Sequence, residues 1–112
     1  MIVRIWHGRT ALSRADSYEQ FLRARAIPDY RSVTGNLGAF VLRRDEPDAS
    51  HFLTVSLWSS MQEIHGFAGD PVDRARYYDE DRDFLLEFEP EVSHYTLKGS
   101  GLDDALLSRF MT

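Results

Sequence analysis

Residues 2–9 read Ile2-Val3-Arg4-Ile5-Trp6-His7-Gly8-Arg9, and the stretch divides at every second position into two sets, Val3/Ile5/His7 and Ile2/Arg4/Trp6. A period of two is the signature of a β-strand, whose successive side chains point to opposite faces. Both sets carry bulky groups. The strand is therefore expected to be covered on both faces, by helices on one side and by something else, for which a partner subunit suffices, on the other.

Downstream, Ser13 with Asp16 three positions on forms a weak N-terminal cap, and Tyr18, Phe21, Leu22, Arg25 and Ala26 share the 3–4 spacing of one helical stripe. The spacing predicts a helix from near residue 14, ended or kinked by Pro28, with a further turn through Asp29-Tyr30-Arg31 and a stop at Thr34-Gly35-Asn36. Leu37 to Arg44 and His51 to Trp58 read as two strands joined by the polar turn Asp45-Glu46-Pro47-Asp48-Ala49, which makes a hairpin. On the later strand Phe52/Thr54/Ser56/Trp58 face one way and His51/Leu53/Val55/Leu57 the other. The second, more apolar set is assigned to the core.

Ser59 or Ser60 caps a short helix through Phe67, ended by Gly69-Asp70-Pro71. Val72 to Glu89 is charged but holds Tyr77, Tyr78, Phe84, Leu85, Leu86 and Phe88, so it is predicted to pack down as an irregular lid or short helical turns. Glu91 to Lys98 is the last strand. After Gly99-Ser100-Gly101, apolar residues at 102, 105, 106 and 110 mark an amphipathic helix from Leu102 to Met111.

The order β-α-β-β-α-β is the ferredoxin-like plan. It gives an α+β domain with an antiparallel sheet over residues 1–98 and a helical C-terminal tail over 99–112. Two helices cover one sheet face only, and an apolar face left to water is an association surface, so a homodimer through the sheet face is expected. In this layout the first strand sits between the third and fourth, parallel to the third and antiparallel to the fourth. That arrangement brings Trp6, His7, Trp58 and His94 to one end of the sheet, with the lid carrying Tyr77 and Tyr78 passing close by.

Composition narrows the function classes. A chain of 112 residues with 43% hydrophobic and 28% charged residues has the profile of one ordinary globular core. A formal net charge of -5 gives no attraction to phosphate backbones or anionic lipid, so neither nucleic acid nor a membrane surface is an expected partner. Cysteine is absent, which excludes disulfides, thiolate nucleophiles and cysteine metal sites. The apolar N-terminal run is far shorter than a signal-peptide core or the ~20 residues of a membrane span, which points to the cytoplasm. Four histidines are present, yet no His-x-x-x-His pair or clustered triad occurs, and Glu63 and His65 diverge around a helix, so no metal site is expected. No Gly-x-Gly-x-x-Gly, P-loop or nucleophile elbow appears.

An imidazole, an indole and phenols at one end of an apolar cavity suit a planar aromatic ligand. His7, whose reference pKa is ~6.5, serves as base or hydrogen-bond partner, Trp58 as stacking wall and Tyr77 as a hydrogen-bonding phenol. Trp6, Phe40, Thr54, His65, Tyr78 and His94 are the candidates for lining the substrate site. Plainer roles stand beside these: Trp58 as core or interface filler, His7 as strand-end packing, and His51, beside a turn, as a solvated side chain.

The opening Ile-Val-Arg-Ile-Trp-His-Gly, Pro28-Asp29-Tyr30 ahead of Thr34-Gly35-Asn36, the strand end Leu57-Trp58, and Ala75-Arg76-Tyr77-Tyr78 followed by Phe84-Leu85-Leu86-Glu87 together resemble the antibiotic biosynthesis monooxygenase (ABM) family of the dimeric α/β barrel superfamily. The resemblance covers about residues 1–98. It implies a cofactor-independent monooxygenase in which the protein helps to deprotonate a small aromatic or quinol-like ring that then reduces O₂ directly. Quinol oxygenases of this type use a polar strand residue and a phenol near the Trp, and the strand here offers Thr54 and Ser56. The family also implies haem-degrading enzymes, whose pocket combines a polar residue late in strand one, a Trp ending strand three and an axial His beyond the second helix. His7 and Trp58 fall at the first two positions, whereas Tyr77 and Tyr78 occupy the third region and His65 lies earlier on the helix. The remaining reading is a non-catalytic dimeric module that holds a hydrophobic small molecule.

Overall fold

A computed structural model describes residues 1–110. Strands β1 (Ile2–Thr10), β2 (Asn36–Asp45), β3 (Ser50–Trp58) and β4 (Ser93–Thr96) form one antiparallel sheet in the order β2-β3-β1-β4. Helix α1 (Ala15–Phe21) continues through a π-helical stretch, Leu22–Ala26, into α2 (Ile27–Arg31). Helix α3 (Met61–Ala68) follows β3, and α4 (Asp104–Phe110) follows the last strand. This α+β architecture is compatible with the ferredoxin-like plan. Among the described residues no helix is long and apolar enough to cross a membrane.

Local chemistry explains these elements. Pro28 lacks an N–H and would crowd the carbonyl one turn back, and the helix accommodates it by widening just before it rather than ending there. Gly35, with φ of 89°, supplies the left-handed residue that turns α2 into β2. Ser60 caps α3, its hydroxyl accepting from the Glu63 N–H at 3.4 Å.

β1 does not run parallel to β3. Strands β2 and β3 form the hairpin, and β3 inserts between β2 and β1, antiparallel to both. Ile2 lies opposite Trp58 and His7 opposite Leu53. His7 and Trp58 are therefore separated by the rise from Ile2 to His7, about 17 Å at 3.3–3.4 Å per residue, instead of sharing one end of the sheet.

The more apolar set of β3 is not the core either. Phe52, Thr54, Ser56 and Trp58 are buried beneath the helices, while His51, Leu53, Val55 and Leu57 are half-exposed on the outer face. The interior tolerates the hydroxyls because each has a partner: Tyr30 and Thr54 share a 2.9 Å hydrogen bond, and Trp58 Nε1 donates to Ser56 Oγ at 2.8 Å. Small residues there leave room for the stacked rings of Tyr30 and Phe67, 4.4 Å apart, which Trp58 packs against. β1 repeats the pattern, with Arg4, Trp6, Gly8 and Thr10 buried on the helix side and Val3, Ile5, His7 and Arg9 half-exposed on the outer side. A Cβ at Gly8 would run into the Trp6 ring, so glycine is what lets the indole lie along its own strand.

The lid, residues 69–92, is irregular apart from a 3₁₀ turn at Asp79–Asp83. Buried Arg4 donates to the carbonyls of Val72 at 2.8 Å and Arg74 at 3.0 Å. Tyr18 donates to Asp81 at 2.9 Å, and Asp29 receives the Tyr78 hydroxyl at 2.6 Å and an Arg76 ion pair at 3.1 Å. β4 pairs with β1 only as far as Ile5. Beyond it the lid takes over that edge: Thr10 bridges Leu85, and the Leu86 N–H donates to the Arg9 carbonyl at 2.9 Å. After β4, α4 sets the Phe110 ring edge-on to Phe40, 5.6 Å between centroids. Met111, the predicted end of that helix, lies outside the described residues.

His94, expected at the substrate site, belongs to the lid fastening. A guanidinium only donates, so His94 Nε2 accepts from Arg4 at 3.0 Å and the ring proton sits on Nδ1, donating to Asp73 at 2.9 Å. Burial lowers the pKa of this imidazole because desolvation disfavours its cation, outweighing the help Asp73 gives. The unfolded chain is then the better proton binder, so this site's contribution to stability is intact above the unfolded value of ~6.5 and is lost as pH falls through and below it. Acidification from about pH 7.5 to about pH 5 should therefore lower the melting temperature of the wild type more than that of His94→Gln. Equal slopes in thermal unfolding would contradict this assignment.

Candidate functional site

Trp6, Thr54 and Tyr78 do meet, on the helix side of the sheet, with Tyr30, Phe67 and Asp81 around them. The space left between these groups is about 20 Å³, against roughly 300 Å³ for a small ligand pocket. Burial pushes the hydroxyls of Tyr18, Tyr30, Tyr77 and Tyr78 above the usual phenol range, so all four are neutral. Burial likewise raises the Asp81 carboxyl, although the Tyr78 N–H and the Tyr18 hydroxyl both donate to it. The Trp6 Nε1 is buried without a hydrogen-bond partner. Its N–H acts on the Tyr77 phenol, opposing the effect of burial, without closing a hydrogen bond to it. This cluster is a packed core of rings. A haem does not fit it: the cleft is too small, no imidazole lines it, and His65 is exposed on α3.

The other predicted residues separate. Trp58 is fully buried, its N–H satisfied by Ser56, and is part of the core rather than a pocket wall. Phe40 lies on the outer face of β2, paired in register with Val55 and touched by Phe110. Tyr77 is half-buried with its ring edge-on to Trp6, and its hydroxyl donates to the Glu89 carbonyl at 2.5 Å. It holds the lid where Glu89 leaves it.

His7 finds different company on the outer face. The β1–β3 register puts His51 one position pair beyond Leu53, diagonal to His7. The two rings stack at 27° with centroids 5.2 Å apart, and His7 Nε2 lies 2.9 Å from His51 Nδ1. At the other side of its ring, His7 Nδ1 is hydrogen-bonded to Glu89 Oε2. His51 Nε2 faces Glu46 Oε2 at 3.7 Å, too far for a hydrogen bond. The sheet positions both carboxylates: Glu89 comes from the lid segment that continues the edge beside β1, and Glu46 from the β2–β3 turn, where it pairs with Arg44 at 2.7 Å. The Arg9–Glu87 pair, with two contacts of 2.7 Å, flanks this line.

A pocket of about 250 Å³ opens beside the two imidazoles, lined by His7, His51, Leu42, Leu53, Arg43 and Arg44. Arg43 is tied to Asp16, Glu19 and Asp45. The arrangement offers apolar walls for a ring and a wall of imidazole for proton transfer. Among the described residues no group of three or more His, Asp or Glu side chains is arranged to hold a metal ion.

By sequence His51 is left to solvent, whereas in the fold it packs against His7, and Glu89 and Glu46 are not among the candidate site residues. For His51 a signal exists: it falls in the same outward set as Leu53, and an antiparallel register brings that set beside His7. Glu89 has none, because it stands 82 positions from His7 and meets it only through the lid's path.

If Trp58 is core, Trp58→Ala should cost about 3–5 kcal/mol of unfolding free energy in chemical denaturation while leaving the histidine ring resonances of His7 and His51 in place. A loss under about 1 kcal/mol would return Trp58 to the candidate site.

Compared with known proteins, the chain matches no protein-family model, and no curated protein is significantly similar to it.

Proposed function

We propose that the chain is a homodimeric, cofactor-independent monooxygenase of the dimeric α/β barrel kind, acting with O₂ on a small phenol- or quinol-like molecule, with the His7–His51 pair taking the substrate's proton. The observation that carries this reading is the hydrogen-bonded line Glu89–His7–His51 at the wall of a pocket of about 250 Å³. The reaction class comes from the sequence's resemblance to the ABM family.

The chemistry follows from what an imidazole supplies. Removing the hydroxyl proton turns a phenol into a phenolate, which is electron-rich enough to pass one electron to O₂. The superoxide and phenoxyl radicals recombine at a ring carbon bearing hydrogen to give a hydroperoxide, and loss of water leaves a quinone. One oxygen atom stays on the ring, and the other leaves as water with the phenolic hydrogen and the ring hydrogen. Leu42 and Leu53 hold the ring, and the protein's task is to bind, deprotonate and exclude water.

The dimer is supported by the sheet's outer face. Val3, Ile5, Phe40, Leu53, Val55 and Leu57 are half-exposed there, and Leu42 and Tyr95 are exposed at 46% and 59%. Apolar side chains contiguous over a sheet face mark an association surface. A second copy packed on this face covers its centre and closes the open side of the pocket at the rim.

Sedimentation should give a dimer for the wild type and a monomer for Val55→Asp, whose buried charge would find no partner. A wild-type monomer at micromolar concentration would contradict the barrel. With a panel of naphthols and hydroquinones, O₂ consumption should fall roughly 100-fold or more in His7→Ala without loss of melting temperature. Binding with no O₂ consumption by the wild type would leave a non-catalytic binding module in place of the enzyme.

A further inference from the structure

Each nitrogen of the two outer-face imidazoles has an assigned neighbour except one. Glu89, as a carboxylate, can only accept, so the proton of a neutral His7 must sit on Nδ1. The Nε2 of that ring then carries a lone pair, and the 2.9 Å contact to His51 requires a proton on His51 Nδ1. A neutral His51 is left with a bare Nε2. That atom belongs to a side chain lining the pocket, and it faces Glu46 across 3.7 Å, where two acceptors cannot bond.

We infer that Glu89 sets the tautomer of both rings in series and makes His51 Nε2 the atom that takes the substrate's proton, with His7 as a relay and Glu89 as the positioning residue. Proton uptake at Nε2 lets the Nδ1 proton of His51 shift to His7 Nε2, so the positive charge comes to rest between the two rings with a carboxylate at each end. The arriving proton also replaces the repulsion between the Nε2 lone pair and the Glu46 carboxylate, 3.7 Å away, with an attraction between opposite charges. The arginines beside the two rings already have carboxylate partners: Arg44 has Glu46, Arg9 has Glu87, and Arg43 has Asp16, Glu19 and Asp45. The site therefore selects ligands with one acidic hydroxyl on an apolar ring small enough to lie against Leu42 and Leu53. The ligand class rests on the oxygenase reading, whereas the tautomers do not.

Ring ¹⁵N NMR tests the relay with no substrate present, at about pH 8.5, two units above the imidazole reference value. Protonated and bare ring nitrogens resonate in well-separated ranges. In the wild type the proton of His51 is expected on Nδ1, the minor tautomer of free histidine. In Glu89→Ala the series has no fixed end, and both rings should switch to the Nε2–H form, whereas Glu89→Gln, whose side-chain carbonyl still accepts, should keep the wild-type pattern. A wild-type His51 protonated on Nε2, an imidazolium on either ring at that pH, or a His51 tautomer unchanged in Glu89→Ala overturns the inference. Because none of these readouts involves oxygen, failure of the relay and failure of the oxygenase reading are distinguished.

Discussion

The antiparallel pairing of β1 with β3, in the register that sets His7 opposite Leu53, decides which side chains of these two strands meet on each face of the sheet. Side chains alternate across a pleated sheet, so one register fixes two faces at once. On the helix side it stacks Trp6, Thr54 and Trp58 with the tyrosines of the helix and lid. On the outer side it collects Val3, Ile5, Leu53, Val55 and Leu57 with the two histidines. A shift of one residue in this pairing would set His7 opposite Phe52 or Thr54 and part it from His51, mixing the two sets on each face.

That division separates stability from chemistry. The helix-side rings, their hydroxyls paired and their space filled, hold the subunit together; the buried phenols stay neutral and have no proton to give up at ordinary pH. The outer face is apolar but less densely packed, and it contains imidazoles that carboxylates from two different loops can reach. The lid links the two faces. Arg4, Asp29 and Tyr18 fasten it on the helix side, and the Leu86 N–H lays its later part along β1. Tyr77 then holds the Glu89 backbone beneath His7. Truncating a helix-side lid contact would therefore act on the outer site through the placement of Glu89.

Local patterns in the chain account for much of this. The alternation in Ile2–Arg9, the turn glycine at Gly35, the Ser60 cap and the apolar residues of the lid all express short-range physics, and the elements they predict are present. Hydropathy misreads the face of β3, because it ranks Leu53, Val55 and Leu57 above Thr54 and Ser56. The hydroxyls belong inside only because Tyr30 and Trp58 supply their hydrogen bonds, and nothing near them in sequence announces Tyr30. The direction of β3 follows from its hairpin with β2; a β3 parallel to β1 would set Trp58 beside His7, whereas the two stand about 17 Å apart along the sheet and on opposite faces. Of the candidate site residues, His7 sits in the pocket of the outer face, while Trp6, Thr54, Tyr78 and Trp58 turn out to build the core. The Glu89 contact depends on the lid's route through space, which no spacing along the chain encodes.

The proposed ligand site lies on the outer face between Leu42, Leu53 and His51, and not among the helix-side rings. Titrating the protein with 1-naphthol while following backbone amide and tryptophan indole resonances locates the binding face directly. The largest shifts are expected at Leu42, Arg44, His51 and Leu53, with the Trp6 and Trp58 indoles little changed. Shifts concentrated at Trp6, Thr54 and Tyr78, with His51 unmoved, would contradict the account.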